Sequence, residues 1–204
     1  MNSGRDLKYF PFQDNTSNSY SSANTDWSDV YYDTGYYSQT NLSIRGGTDK
    51  ITYYVSGSYL DNKKTIIGNT QSRFSIRTNI DVKLSKDITF SLNNTSSYNV
   101  NDVFVPGNDY YEFLPILQGH DNADNPTWNR SIFRNSVAER EENDNNQKAY
   151  VTNTNAKLDY QILPGLKSVT QLGIDNQNIN EETYNAKTNW SGMSSTASTG
   201  YSYR

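Results

Sequence analysis

The chain has no cysteine in its 204 residues. That one absence removes disulfides, thiolate metal sites and thiol catalysis together. It has a single histidine, His120, so zinc sites built on several histidines are excluded as well. Long apolar runs are also missing, and nothing approaches the roughly 18 residues that a membrane helix needs. Hydrophobic residues make up only 33% of the chain, and 17 of them are tyrosines. Leu, Ile, Val and Phe are thus too sparse for an ordinary core, while the aromatics are too many for a disordered chain. The net charge of −4 comes without a basic stripe interleaved with aromatics, so no nucleic-acid partner is expected.

What is present is alternation. After Gly46-Gly47-Thr48-Asp49-Lys50, residues Ile51, Tyr53, Val55, Gly57 and Tyr59 share one side of a strand. Thr52, Tyr54, Ser56, Ser58 and Leu60 share the other, because strand side chains point to opposite faces with period two. Upstream, Thr40, Leu42 and Ile44 complete a hairpin across the turn. The clearest case follows: Phe74, Ile76, Thr78, Ile80, Val82 and Leu84 oppose Arg73, Ser75, Arg77, Asn79, Asp81 and Lys83. A turn at 85–87 leads into Ile88, Phe90 and Leu92. Later, Thr152, Thr154, Ala156, Leu158, Tyr160 and Ile162 alternate with polar residues up to Leu163-Pro164-Gly165, whose Pro and Gly suit a tight turn. A further strand carries Leu166, Thr170, Leu172 and Ile174 on one side, and residues 199–204 read as a strand cut short.

Alternation alone fits either a soluble sandwich or a membrane barrel. The connections separate them. In order they are short (46–50), longer (61–72), short (85–87), very long (99–148), short (163–165) and longer (178–198). Turns on one side and loops on the other are the pattern of an up-and-down membrane barrel, which also explains few aliphatics beside many aromatics. The predicted fold is therefore all-β, an antiparallel up-and-down meander forming part of a transmembrane β-barrel with long loops. Residues 1–35 are expected to be an extracellular-loop segment, with a short helical turn capped by Thr25 or Asp26, and residues 36–204 the partial barrel.

The segment Thr25-Asp26-Trp27, the turn Gly46-Gly47-Thr48-Asp49-Lys50 and the strand Tyr54-Val55-Ser56-Gly57-Ser58-Tyr59 resemble the barrel of SusC/RagA-family TonB-dependent outer-membrane proteins. The resemblance covers roughly residues 24–175. It implies a transporter of glycans or peptides in a Gram-negative outer membrane. It also implies a SusD-like surface lipoprotein as partner, and TonB reached through an N-terminal part. These residues contain no plug and no TonB box, and about six strands cannot close a barrel. The N-terminus lacks an apolar signal region, which beside the resemblance reads as an internal piece of a longer chain. A secreted soluble β-sandwich that binds carbohydrate is the alternative.

No catalytic residue, metal or cofactor is expected. His120, beside Asp121 and Asp124, reads as a loop histidine, and the 121–125 run lacks the glycine and terminal Glu of an EF-hand. Glu139, Glu141 and Glu142 read as a solvated charge run in a flexible tract, not as a fixed carboxylate pair. Trp27, Tyr110, Tyr111 and Trp128 are the candidate substrate- or partner-binding residues, since flat aromatic faces suit sugars or a protein surface. Packing on the barrel rim is the competing role for them. Arg73, Arg77, Asp81 and Lys83 are expected to face a wet lumen, with the Phe74–Leu84 side toward lipid.

Overall fold

The computed structural model describes residues 24–105, 136–189, 191–192 and 201–203. One antiparallel sheet organises them, its strands adjacent in chain order. They are β1 (Tyr36–Gly47), β2 (Ile51–Lys63), β3 (Thr70–Lys83), β4 (Ile88–Asp102), β5 (Asp144–Leu163), β6 (Leu166–Tyr184) and the short β7 (Tyr201–Tyr203). The all-β meander forms as expected. Among the described residues no second sheet lies on either face, so a sandwich is not the architecture.

The register turns separate alternations into two continuous faces. Tyr59 pairs with Phe74, Phe74 with Tyr98, and Tyr98 with Tyr150. Paired residues share a face, so the apolar sides of neighbouring strands merge into one apolar surface, and a one-residue slip would scramble it.

Three tight turns close one end of the sheet. In the first, the Thr48 amide donates to the Ile51 carbonyl at 2.7 Å, and Thr48 Oγ1 accepts from the amides of Lys50 and Ile51 at 3.3 Å. Gly47 is required sterically, whereas Gly46 only makes room for the end of the Tyr53 side chain. A Cβ on Gly47 would lie 2.4 Å from the Ile51 carbonyl oxygen, and one on Gly46 would meet the Tyr53 ring at 2.6–3.2 Å. In the second, Ser85 Oγ accepts from the amides of Asp87 and Ile88. The third contains Pro164 and Gly165, whose φ of 88° is the left-handed conformation that glycine adopts without penalty.

These turns are staggered. Ile51, the first residue of β2, aligns through Val82 with Phe90, two residues into β4, which begins at Ile88. Ile88 aligns through Tyr160 with Ser168, two residues into β6, which begins at Leu166. The turn line therefore steps by one residue per strand. With a rise of about 3.4 Å and a strand spacing of about 4.8 Å, that step means a tilt of about 35°, within the range that closes a barrel.

At the other end the strands run further than their alternation shows. The connections there are 64–69 rather than 61–72, and 103–143 rather than 99–148, and β6 persists to Tyr184. The extra strand residues, such as Asn99–Asp102 against Asn146–Ala149, are polar apart from Val100 and Ala149 and so carry little amphipathic signal. Short helices lie at this end. α1 (Trp27–Tyr31) is capped by Asp26, whose side chain accepts from the Ser28 amide. α2 (Ser136–Glu142) replaces the flexible tract expected there.

Candidate functional site

The apolar face carries Leu42, Ile44, Tyr53, Tyr59, Phe74, Ile76, Tyr98, Tyr150, Leu158, Leu172 and Ile174, all exposed. Among the described residues nothing covers this face, and a contiguous exposed apolar surface marks contact with a membrane or a partner. The aromatics on it are ordered. Tyr59, Phe74, Tyr98 and Tyr150 form one cross-strand row toward the loop end, and Tyr53 and Tyr160 lie toward the turns.

The opposite face is polar. Arg73, Arg77, Asp81 and Lys83 all lie on it and are all exposed. Asp81 accepts from Ser91 Oγ at 2.5 Å across the β3–β4 pair. Asp159 is held between Lys157 at 2.9 Å and Lys167 at 2.8 Å. Near the first turn, Arg45, Thr52, Tyr54, Asn79 and Asp81 line an open recess of about 410 Å³. Nearer the loops, Leu60 and Ala149 are buried on this side while their apolar-face neighbours Tyr59 and Tyr150 are exposed, and segments outside the strands gather at this end.

Those loop segments form a small, well-packed rim. Trp27, Tyr31 and Val137 are buried together, with Val30 and Phe104 against them, and the Trp27 and Tyr31 rings sit 6.2 Å apart. The Ile67 amide donates to the Tyr31 carbonyl at 2.9 Å, and the Phe104 amide donates to Asn69 Oδ1. Lys63 Nζ meets Asp33 Oδ2 at 2.5 Å. This hydrogen bond, then the one from the Thr34 amide, holds the exposed Asp33 carboxyl below its usual range. Glu139 is 1% exposed and accepts from the Ser191 amide and hydroxyl at 3.1 and 2.6 Å. Asn143 Oδ1 accepts from the Ala186 amide and the Asn189 side chain.

Trp27 is thus a packing residue in this rim, 7% exposed, and does not present a flat face to solvent. Glu139 is likewise no solvated charge: the helix buries it against residues from beyond β6. Tyr110, Tyr111, Trp128, His120, Asp121 and Asp124 lie outside the described residues. Sequence reasoning missed Tyr31, Val137 and Arg140 as rim residues. The four-residue spacing of Trp27 and Tyr31 and the apolar pair Val137-Ala138 inside a charged tract were the available signals.

No family model matches the chain. Among curated proteins it is 32% identical over 171 residues to TonB-dependent receptor P3 of Formosa agariphila, covering 76% of this chain and 17% of that protein. It is 26% identical over 163 residues to TonB-dependent receptor P39 of the same organism, covering 76% of this chain and 16% of the relative. Among solved structures, the RagAB peptide transporter superposes with a TM-score of 0.66 at 16% identity, over 80% of this chain and 20% of that one. The RagAB peptide importer in its closed-closed state gives 0.67 over 88% and 21%. The chain therefore spans about a sixth of the curated relatives' length, and its strands follow part of a larger barrel.

Proposed function

We propose that this chain, which belongs to the SusC/RagA type of TonB-dependent receptor, is a wall segment of an outer-membrane barrel that imports nutrients. The observation that carries the proposal is the sheet-wide division into one apolar and one polar face, on strands staggered as a tilted barrel requires. The apolar face is the lipid side. From Ile51 to Tyr59 on β2 is eight residue-to-residue steps and from Ile88 to Tyr98 on β4 is ten. At about 3.4 Å each and about 35° of tilt these span roughly 22–28 Å, which brackets the lipid band of about 25 Å in such barrels. The polar face, with Arg73, Arg77, Asp81 and Lys83, is the lumen wall. The free edges of β1 and β6–β7 pair with further strands of the parent protein, since exposed edges of this length invite pairing.

The tight turns at 48–50, 84–87 and 164–165 are periplasmic, and the rim with its long connection 103–143 is extracellular. A SusD-like lipoprotein docks on that side, TonB acts through the parent's remaining part, and the cargo is a glycan or a peptide. Protease added to intact cells carrying the full-length parent should cut within 103–143 and spare the turns at Gly46-Gly47 and Pro164-Gly165. Cleavage at those turns with 103–143 intact would invert the topology and defeat the proposal. Deleting 108–135 should leave assembly intact and impair uptake or lipoprotein docking.

A further inference from the structure

We propose that the lipid-facing side of β4 and β5 is the contact through which two copies of the parent protein meet within the membrane. The inference rests on the reading of the apolar face as the lipid side. On these two strands that face is interrupted by Asn94, Ser96, Thr152 and Thr154, all half-buried. Ser96 and Thr152 are register partners, and so are Asn94 and Thr154. They lie two and four residues toward the turns from the Tyr98–Tyr150 pair. At about 3.4 Å per residue and about 35° of tilt, that places them about 6 and 11 Å beneath the aromatic row. They therefore sit in the outer half of a lipid band of about 25 Å. Leu42 and Ile44 on β1, and Gly57 and Val55 on β2, occupy the same two rows, so the polar patch belongs to this part of the wall. Thr78 and Asn176 fringe it on β3 and β6.

The four side chains bond to one another. Asn94 Nδ2 donates to Thr154 Oγ1 at 2.7 Å, and Ser96 Oγ donates to Asn94 Oδ1 at 3.2 Å. Ser96 Oγ also lies 3.2 Å from Thr152 Oγ1. The Ser96 hydroxyl hydrogen is already given to Asn94, so Thr152 is the donor there. The chain still leaves the second Asn94 N–H and the Thr154 hydroxyl hydrogen to be matched, and hydrocarbon offers them nothing. Depth narrows what can. Lipid headgroups stand at or above the aromatic row, and the buried part of an acyl anchor is hydrocarbon. A partner seated on the extracellular rim stops short of this depth, whereas another barrel wall reaches it. A second copy does so at matching height, because a two-fold axis along the membrane normal sets each patch against itself. The patch suits such a contact. It is uncharged, and every group in it can both donate and accept. Its side chains are small beside Tyr98, Tyr150, Phe90 and Leu158 on the same strands, which lets two walls approach closely.

The test uses the full-length parent in native membranes, in a background free of other cysteines, carrying Ser96→Cys or Thr154→Cys. Bismaleimidoethane, a short thiol cross-linker, should convert each into a species of twice the parent's mass. Ile44→Cys, on the same face but at the far edge of the sheet, should give at least tenfold less. Adding Asn94→Leu, Thr152→Val and Thr154→Val to Ser96→Cys should lower the cross-linked fraction about tenfold. The amount of folded barrel, read by its heat-modifiable migration, should stay unchanged, because these side chains suit lipid. Labelling of both patch cysteines by lipid-soluble N-phenylmaleimide as fast as Ile44→Cys, with no cross-link, would put lipid over the patch. That result would overturn the inference while the lipid-side reading stands. A cross-link to a protein of another mass, or one that persists in the apolar variant, would overturn it too. Labelling of Ser96→Cys and Ile44→Cys by a charged, water-soluble reagent but not by N-phenylmaleimide would defeat the lipid-side reading and this inference with it.

Discussion

Arg140 Nη1 donates a 2.5 Å hydrogen bond to the backbone carbonyl of Val30, across 110 residues of sequence. It ties the segment before β1 to the helix before β5, beside the buried Trp27, Tyr31 and Val137. Hydrogen bonds from a charged, largely buried donor contribute about 1.5–3 kcal/mol, so Arg140→Ala should loosen the rim by that order. Amide exchange of the Ile67 and Tyr32 N–H groups, which bond to the Tyr31 and Ser28 carbonyls, should speed up, with strand amides of β3 and β4 unchanged.

The Asp33–Lys63 pair gives the rim a pH dependence of known sign. The folded carboxyl titrates below its ordinary value, so its contribution is present above the unfolded value of about 3.9. It is lost as pH falls through the lower, folded value. Protection of the Asp33 amide, which donates to the Thr65 carbonyl at 2.9 Å, should be constant from neutral pH to about pH 5 and decline below about pH 4. In Asp33→Asn that decline should be absent. The pair is exposed, so the effect on global stability is small.

Gly165 isolates backbone strain from packing. Its φ is 88° and a Cβ there would meet nothing within 4 Å, so Gly165→Ala carries only the left-handed penalty of roughly 1–2 kcal/mol. Gly165→Asn should cost less, because Asn tolerates that conformation. Urea midpoints of the refolded parent would rank the two.

The period-two pattern at Phe74–Leu84 and Ile51–Tyr59 was enough to read strands, faces and turn order from the sequence, because one side of each strand is uniformly greasy. Where the greasy side gives out, as at Asn99–Asp102 with its lone Val100 and at Asp144–Lys148, the pattern vanishes, so the alternation ends β4 too early and begins β5 too late. The rim failed for a different reason. Trp27 reads as a ligand platform because nothing local shows that Val137, more than a hundred residues on, packs against it. Glu139 looked solvated because its partner Ser191 lies beyond β6.

The two-face assignment is tested most directly at adjacent residues of β3. Ile80 lies on the apolar face and Asn79 on the polar one, between the same neighbouring strands. Ile80→Arg puts a guanidinium into lipid near mid-depth and should cost about 2–4 kcal/mol, whereas Asn79→Arg adds one more cation to a wet wall and should be nearly neutral. The measurement is the free energy of folding of the full-length parent into lipid vesicles, for wild type and both variants in parallel. A gap of that size supports the lipid and lumen assignment. Equal costs, or a larger cost at Asn79, would contradict it.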